Sequence, residues 1–284
     1  MAISFKELGY TYNKESKSPS IALQGINLDI ELGKVTALIG ETGSGKSTLV
    51  QHLNALLTPT EGELEILDYK LIANKKTKGL KQLRKKVGLV FQFSEYQLFE
   101  ETLLKDVAFG PMNFGLTPQE AKIKAINALK LVGIDEKLFN RSPLDLSGGQ
   151  KRRVAIAGIL AIEPEVLVLD EPTAGLDPAG SKEMINLFMK LNKEYGKTII
   201  IVSHDNDIVY SYADNVVLLN KGRVIYKGDT ISFFNNDELI DSNDILRPKL
   251  VSFKKLLKDK GFKVSDSSRT LKEVVNEVKR EIRR

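Results

Sequence analysis

The sequence predicts an α/β fold built on a parallel sheet, and three observations lead there. Strand-like and helix-like segments alternate along most of the chain. Residues 166–169 are apolar at every position, the pattern of a short strand covered on both faces. A glycine-rich turn, residues 40–45, stands between an apolar strand and a helix-forming stretch, the order that places backbone N–H groups around an anion.

Residues 3–12, 21–30 and 35–39 read as strands, the second alternating with period two and the third a short apolar run. The connection after the first is polar and contains Pro19. A helix is predicted over 46–57, stopping near Thr58-Pro59 because a residue before proline is pushed out of the helical region. Strands follow at 63–67 and 87–91, with Leu80 and Leu83 on a short basic helix between them. Thr117-Pro118-Gln119-Glu120 supplies an N-cap, a proline at the first position and a capping-box glutamate for a helix to about Val132. Then come a helix over 148–162, the strand 166–169, a helix over 178–195, a strand over 198–202 and a helix over 206–213. Strands at 215–219 and 223–226 pair around Lys221-Gly222. Leu250, Phe253, Leu256 and Leu257, then Leu271, Val274, Val275, Val278 and Ile282, mark two amphipathic helices whose stripes need a covering surface on the body or on another subunit.

Composition narrows the function. With 42% hydrophobic and 28% charged residues the chain is globular, and without cysteine it holds no disulfide and no thiolate metal site, which fits a reducing cytoplasm. The apolar run 154–162 is broken by Gly158 and falls short of the roughly 20 residues that span a bilayer. The start, Met1-Ala2-Ile3-Ser4-Phe5-Lys6-Glu7, lacks the pattern of a signal peptide. The net charge of +5 invites a nucleic-acid reading, but residues 247–284 hold 13 basic and 5 acidic residues, so the excess belongs to the tail. A second basic stretch, 70–86, carries eight Lys or Arg and no acid, which leaves the rest of the body acidic.

Chemistry concentrates in Gly40-Glu41-Thr42-Gly43-Ser44-Gly45-Lys46-Ser47, followed by Thr48, which fits the phosphate-binding P-loop pattern and has the strand before it and the helix after it. Glycines let N–H groups converge on phosphate, Lys46 reaches the β- and γ-phosphates, and Ser47 is placed to ligate Mg²⁺. An ordinary glycine-rich turn explains neither the lysine nor the serine. Asp170 and Glu171 end the apolar strand, where the aspartate would hold Mg²⁺ and the glutamate would orient and deprotonate a water. The bland alternative, an acid capping the next turn, is weakened by the P-loop.

Together with these, Gln92 after a strand, Leu146-Ser147-Gly148-Gly149-Gln150, Gly175-Leu176-Asp177 and His204 occur in the order of the ATP-binding cassette family, which residues 1–230 resemble. The resemblance implies a P-loop NTPase with a RecA-like core, an antiparallel β subdomain and a helical signature subdomain over about 92–160. Residues 231–284 would form a small helical domain with a dimerising or regulatory role. It further implies ATP and Mg²⁺ as ligands, and a site completed in trans by Ser147, Gly148, Gly149 and Gln150 of one subunit closing on the P-loop of another. His204 would contact the γ-phosphate, Gln92 would sense Mg²⁺ and the water, Asp177 would belong to the nucleotide-binding residues, and Tyr12, in preference to Tyr10, would stack on adenine. His52, inside the P-loop helix, reads as a packing residue or a partly exposed polar one.

The 54 residues between Gln92 and Ser147 leave no room for a long coiled-coil insertion, absent cysteine excludes zinc-bearing repair relatives, and a single cassette argues against translation factors. Residues 91–115, with Gln97-Leu98-Phe99, Phe109-Gly110-Pro111 and Asn113, resemble energy-coupling factor transporter ATPases, of the second type. That resemblance implies a peripheral protein on the cytoplasmic face of the membrane. Its partners would be a second cassette ATPase, in a homo- or heterodimer, an integral membrane coupling subunit and a substrate-binding membrane subunit for vitamins or metal ions. Glu95, Glu100, Glu101 and Asp106, against Lys105 alone, suggest an acidic groove for a basic helix of the coupling subunit. The competing reading is a soluble ATPase acting on nucleic acid through residues 70–86. Solvated lysine faces are the ordinary meaning of such a run, and no nucleic acid is expected.

Overall fold

The computed structural model describes residues 2–283; Met1 and Arg284, which close the predicted spans 1–230 and 231–284, lie outside the described residues. In chain order the elements are β1 (Ala2–Tyr12), β2 (Ser20–Glu31), β3 (Val35–Ile39), α1 (Lys46–Leu53), β4 (Glu61–Ile66), β5 (Tyr69–Ile72), α2 (Leu80–Lys86) and β6 (Val87–Val90). α3 (Leu103–Asn113), α4 (Pro118–Leu131), α5 (Gly148–Leu160), β7 (Val166–Asp170), α6 (Pro178–Tyr195), β8 (Thr198–Val202) and α7 (Asn206–Tyr212) follow. The chain continues through β9 (Asn215–Asn220), β10 (Arg223–Asp229), α8 (Thr230–Phe234), α9 (Asp237–Ser242), α10 (Lys249–Asp259) and α11 (Leu271–Ile282).

Two sheets result. One is antiparallel in the order β2-β1-β4-β5; the other runs β10-β9-β3-β8-β7-β6, parallel except for the edge strand β10. The period-two geometry of the central strands divides their side chains between two cores. Leu167, Leu169, Ile199 and Ile201 join the helices α3 to α6, whereas Val166, Val168, Ile200 and Val202 pack with α1 and the antiparallel sheet. That is why these strands are mostly apolar, and why the five residues of β3 and of β8 are all buried.

Several ends differ from the sequence reading. The P-loop helix stops at Leu53, not at 57, because Ala55 turns left-handed (φ 54°) and the Leu56 and Leu57 N–H groups both return to the Gln51 carbonyl. β5 and α3 were not predicted. The capping box of α4, with Thr117 and Glu120 bonded reciprocally, is as predicted. Lys221 and Gly222 both take positive φ, 47° and 74°, as a tight turn between β9 and β10 requires. In the tail, Val251 and Val274 face inward while Phe253, Leu256, Leu271 and Ile282 stay exposed, so only part of each predicted stripe is covered. Among the described residues no helix is long and apolar enough to cross a membrane.

Candidate active site at the strand ends

The carboxyl ends of β3, β8, β7 and β6, adjacent in the sheet, deliver four of the predicted segments to one edge: the P-loop, His204, Asp170 with Glu171, and Gln92. The P-loop glycines are dictated by space. A Cβ on Gly40 (φ 141°) would fall 2.1 Å from the Leu219 carbonyl oxygen, and one on Gly45 (φ 105°) would fall 2.8 Å from that of Ala22. The loop is therefore wedged against β9 and β2, and the Ser44 carbonyl accepts from the Gly222 N–H at 3.0 Å. Glu41, Thr42 and Gly43 remain exposed at its tip.

Lys46 is buried, and its ammonium donates to the carbonyls of Gly40 (2.7 Å) and Glu41 (2.8 Å), which hold it inside the loop. Burial lowers its pKa, against the opposing pull of Glu171 and Asp170. Burial raises the pKa of Asp170, which the neighbouring Ser47 hydroxyl and Lys46 oppose. Glu171 is raised too, by burial and then by the Asp170 charge. Its backbone is left-handed (φ 49°) and its N–H is tied to the Val202 carbonyl at the end of β8. Glu171 Oε1 lies 3.3 Å from His204 Nε2 without hydrogen-bond alignment, a buried oxygen with no other partner. His204 is 55% exposed, its pKa lowered by burial of the ring and by Lys46, so it is neutral at pH 7. A buried carboxylate of raised pKa beside a neutral imidazole is an arrangement suited to taking a proton from water. Ser47 and Asp170 offer hard oxygen donors side by side, a set that fits Mg²⁺.

Tyr12 bonds through its hydroxyl to Thr48 Oγ1 (3.1 Å) on the first turn of α1, while Tyr10 packs edge-on against His52, with ring centroids 5.0 Å apart. Tyr12 is thus the aromatic nearer the P-loop. His52 is fully buried, its Nδ1 2.7 Å from the Thr48 carbonyl, and burial drives its pKa down to about 4. It is a neutral core residue.

The signature segment stands elsewhere. Ser147 caps α5 and shares a capping box with Gln150, which commits the Gln150 side chain to the Ser147 N–H. Ser147 and Gly148 are exposed, and neither they nor Gly149 line the cleft of about 180 Å³ that Gly40, Glu41, Ser203, His204 and Asn206 border. Asp177 caps α6 through the Gly180 N–H. Gln92 is exposed just beyond β6, with no hydrogen bond to the P-loop.

The acidic groove needs correction. Glu95 is not free for docking: both its oxygens bind Arg152 at 3.1 Å, and the two side chains are 17% and 4% exposed. Asp106 accepts the N–H groups of Phe99 and Glu100, and Glu101 pairs with Lys105. Arg152, which the sequence reading overlooked, also donates to the Ala174 carbonyl and lies over the Phe93 ring. It joins the signature helix to the turn after Gln92 and to the segment after Glu171. In the basic stretch, Lys70 bridges Glu63 and Glu65, Lys86 meets Asp68 and Glu165, and Arg84 donates to the carbonyls of Asn54 and Ala55.

Comparison with known proteins agrees with this geometry. A family model described as ABC transporter matches residues 23–174. The energy-coupling factor transporter ATP-binding protein EcfA2 of Latilactobacillus sakei is 52% identical over 262 residues, 92% of this chain and 90% of that one. The chain belongs to the energy-coupling factor branch of the ABC transporter ATPases. A second member of that branch, EcfA2 of Bacillus cereus, is 45% identical over 285 residues, covering 100% of this chain and 97% of the relative. Among solved structures, cbiO1 from Clostridium perfringens, described as part of the ABC transporter complex cbiONQ, superposes with a TM-score of 0.73 at 43% identity, covering 89% of this chain and 98% of that one. A dimeric ATP-binding cassette in a post-hydrolysis state, bound to ADP and Pi, gives 0.71 at 33% identity over 80% of this chain and 98% of the other. As an energy-coupling factor ATPase the chain binds and hydrolyses ATP to drive a transporter.

Proposed function

We propose that the chain works on the cytoplasmic face of the membrane as one half of a nucleotide-sandwich pair, driving uptake of a vitamin or a metal ion. Its partners are a second cassette ATPase, an integral membrane coupling subunit and a substrate-binding membrane subunit. The observation that carries this reading is the separation within one chain: Lys46, Asp170, Glu171 and His204 gather at the strand ends, while among the described residues no hydrogen bond or ion pair joins Ser147, Gly148 or Gly149 to them. A second cassette supplies the missing wall. The exposed N-terminus of α5 suits a γ-phosphate, because its small residues and helix dipole favour a close anion.

In this reading the P-loop, from Gly40 through Thr48, cradles the phosphates, Lys46 neutralises the β- and γ-phosphates, and Tyr12 stacks on adenine. A bound Mg²⁺ neutralises phosphate charge in the transition state; Ser47 and Asp170 would hold it, with Gln92 reaching in from β6. Glu171 orients the attacking water and takes its proton at Oε1. His204, neutral, donates to the γ-phosphate through one ring nitrogen and so helps to fix it in line with that water. Residues 1–230 act as the cassette, with 92–160 as its helical subdomain bearing the signature, and Asp177 belongs to the nucleotide site. Residues 231–284 serve pairing or regulation.

A tagged chain purified from solubilised membranes should carry a second cassette protein and integral membrane proteins in comparable amounts by mass spectrometry. Glu101→Lys, which reverses an exposed charge beside the turn after Gln92, should deplete the membrane proteins while ATP binding stays intact. Recovery of the chain free of any integral membrane protein would remove the transport role from this reading.

A further inference from the structure

His204 stands on a short loop between β8 and α7, and α7 is a helix of two turns. Helices this short do not hold themselves in place; packing and side-chain bonds decide where they sit. In this chain the cap is local, with Asp205 Oδ1 accepting the Asp207 and Ile208 N–H groups and Ser203 Oγ accepting the Asp205 N–H, while the long-range bonds come from the C-terminal region and engage α7 along its length. On the first turn, Asn206 Nδ2 donates to the Leu246 carbonyl (2.7 Å), and Asp207 Oδ1 accepts the Lys249 N–H (2.7 Å). On the second turn, fully buried Tyr210 meets Lys254, whose ammonium is 2.5 Å from the Tyr210 hydroxyl. Just past the end of the helix, Arg269 donates to the Ala213 carbonyl at 2.8 Å.

Lys254 is itself unusual. It is 2% exposed on α10 and has no carboxylate within salt-bridge distance among the described residues. Its three hydrogens are shared among the Tyr210 oxygen and the carbonyls of Asp266 (2.7 Å), Ser268 (3.1 Å) and Ser265 (3.4 Å). The Tyr210 hydroxyl in turn lies within hydrogen-bond reach of the Asp266 and Ser268 carbonyls. A buried ammonium is costly unless its donors are satisfied. Here they fasten α10, the 265–268 turn and α7 at one point. The same region reaches the nucleotide side as well, since Asn243 to Leu246 line the cleft together with Gly40, Glu41 and His204.

We propose that the C-terminal helices are the mount of His204, with Asn206 and Tyr210 as positioning residues for the hydrolytic step and Leu246 and Lys254 as their anchors. The proposal rests on His204 acting at the γ-phosphate, and it adds that the histidine's placement is set from outside the cassette, two and six residues downstream of it. Lys46 and the P-loop, which make none of these bonds, bind ATP independently of the mount. A misplacement of about 1 Å in a group facing the reacting phosphate can cost up to about a hundredfold in rate, so release of α7 is expected to act on kcat rather than on KM.

The test uses the full chain in its assembled complex, with ATP hydrolysis followed at steady state and under single-turnover conditions, which resolve slow rates. Asn206→Ala combined with Tyr210→Phe removes one amide and one hydroxyl and leaves the packing in place; Lys254→Met is a harsher companion, read only if it folds. The double variant should lower kcat fivefold or more with KM for ATP within twofold of the parent. In a His204→Ala background it should cause no further loss, because the residue it positions is gone. A parental kcat in the double variant, or an equal fold loss with and without His204, overturns the mount. If His204→Ala alone hydrolyses ATP at the parental rate, the γ-phosphate reading fails and the mount fails with it. If His204→Ala is slow and the double variant is not, only the mount fails.

Discussion

Glu171→Gln should lose at least about a hundredfold in ATP turnover while still binding ATP, and should accumulate a closed, ATP-filled pair of cassettes. The size follows from what a positioned general base contributes, about 10² to 10⁴ in rate. The glutamine keeps the side chain's shape beside Lys46 and Asp170 and removes only the proton acceptor, so binding is preserved while the chemical step fails. Oε1 is buried and makes no hydrogen bond, so in the proposed reading it is free to receive the proton. The parental enzyme carries a signature of the same group. Burial and the Asp170 charge raise the Glu171 pKa, so the ionised, active form is lost on acidification at a higher pH than for an ordinary glutamate. Turnover should climb as pH rises through that raised value, and the climb should be absent from the residual rate of Glu171→Gln. Steady-state rates across pH, with nucleotide retention after gel filtration, check both. Parental turnover in the variant would place the base elsewhere.

Glu95→Lys should destabilise the fold by about 3–5 kcal/mol, because it replaces the partner of a buried guanidinium with a second positive charge. Arg152 is 4% exposed, and both Glu95 oxygens are committed to it. The midpoint of urea unfolding reads the loss directly. Glu101→Lys, on the exposed rim of the same stretch, should change the stability by less than about 0.5 kcal/mol. A Glu95 variant that fails to join the membrane subunit has lost its interior, whereas a Glu101 variant that fails has lost a contact. Equal stability of the two variants would mean that the Arg152 pair contributes little.

Arg152 and Lys254 also show what the sequence leaves hidden. Both were legible in principle, as charges on an apolar stripe: Arg152 precedes buried Ile156 and Leu160 at helical spacing, and Lys254 follows buried Val251 by three residues. The identity of their partners was not, since Glu95 and Tyr210 are 57 and 44 residues away in the chain. The elements that were legible are those in which local and global signals agree. The P-loop, α6 with Pro178 at its first position, and β8 have their predicted limits because cap, turn and burial pattern coincide. α3 was obscured by Gly110 and Pro111 near its end, where the glycine lets the helix approach Ile162 and the Gly158 carbonyl closely. β5 has one buried residue in four and offers no period to read. Of the site, the residues could be named from motifs. That Gln150 spends its side chain on a cap, and that Glu95 faces inward, required the fold.

In the proposed reading, the nucleotide bound at this P-loop is hydrolysed only when another chain's signature closes on it. Ser147→Arg tests it most directly, because Ser147 is exposed at the start of α5 and its hydroxyl caps only its own helix, at the Gln150 N–H. Nucleotide affinity of the isolated chain and turnover of the assembled complex should be measured on the same variant. The account predicts an affinity within twofold of the parent, with turnover at the site this signature would complete reduced by about a hundredfold or more through loss of electrostatic stabilisation. Parental turnover, or a loss of affinity already present in the isolated chain, would contradict it.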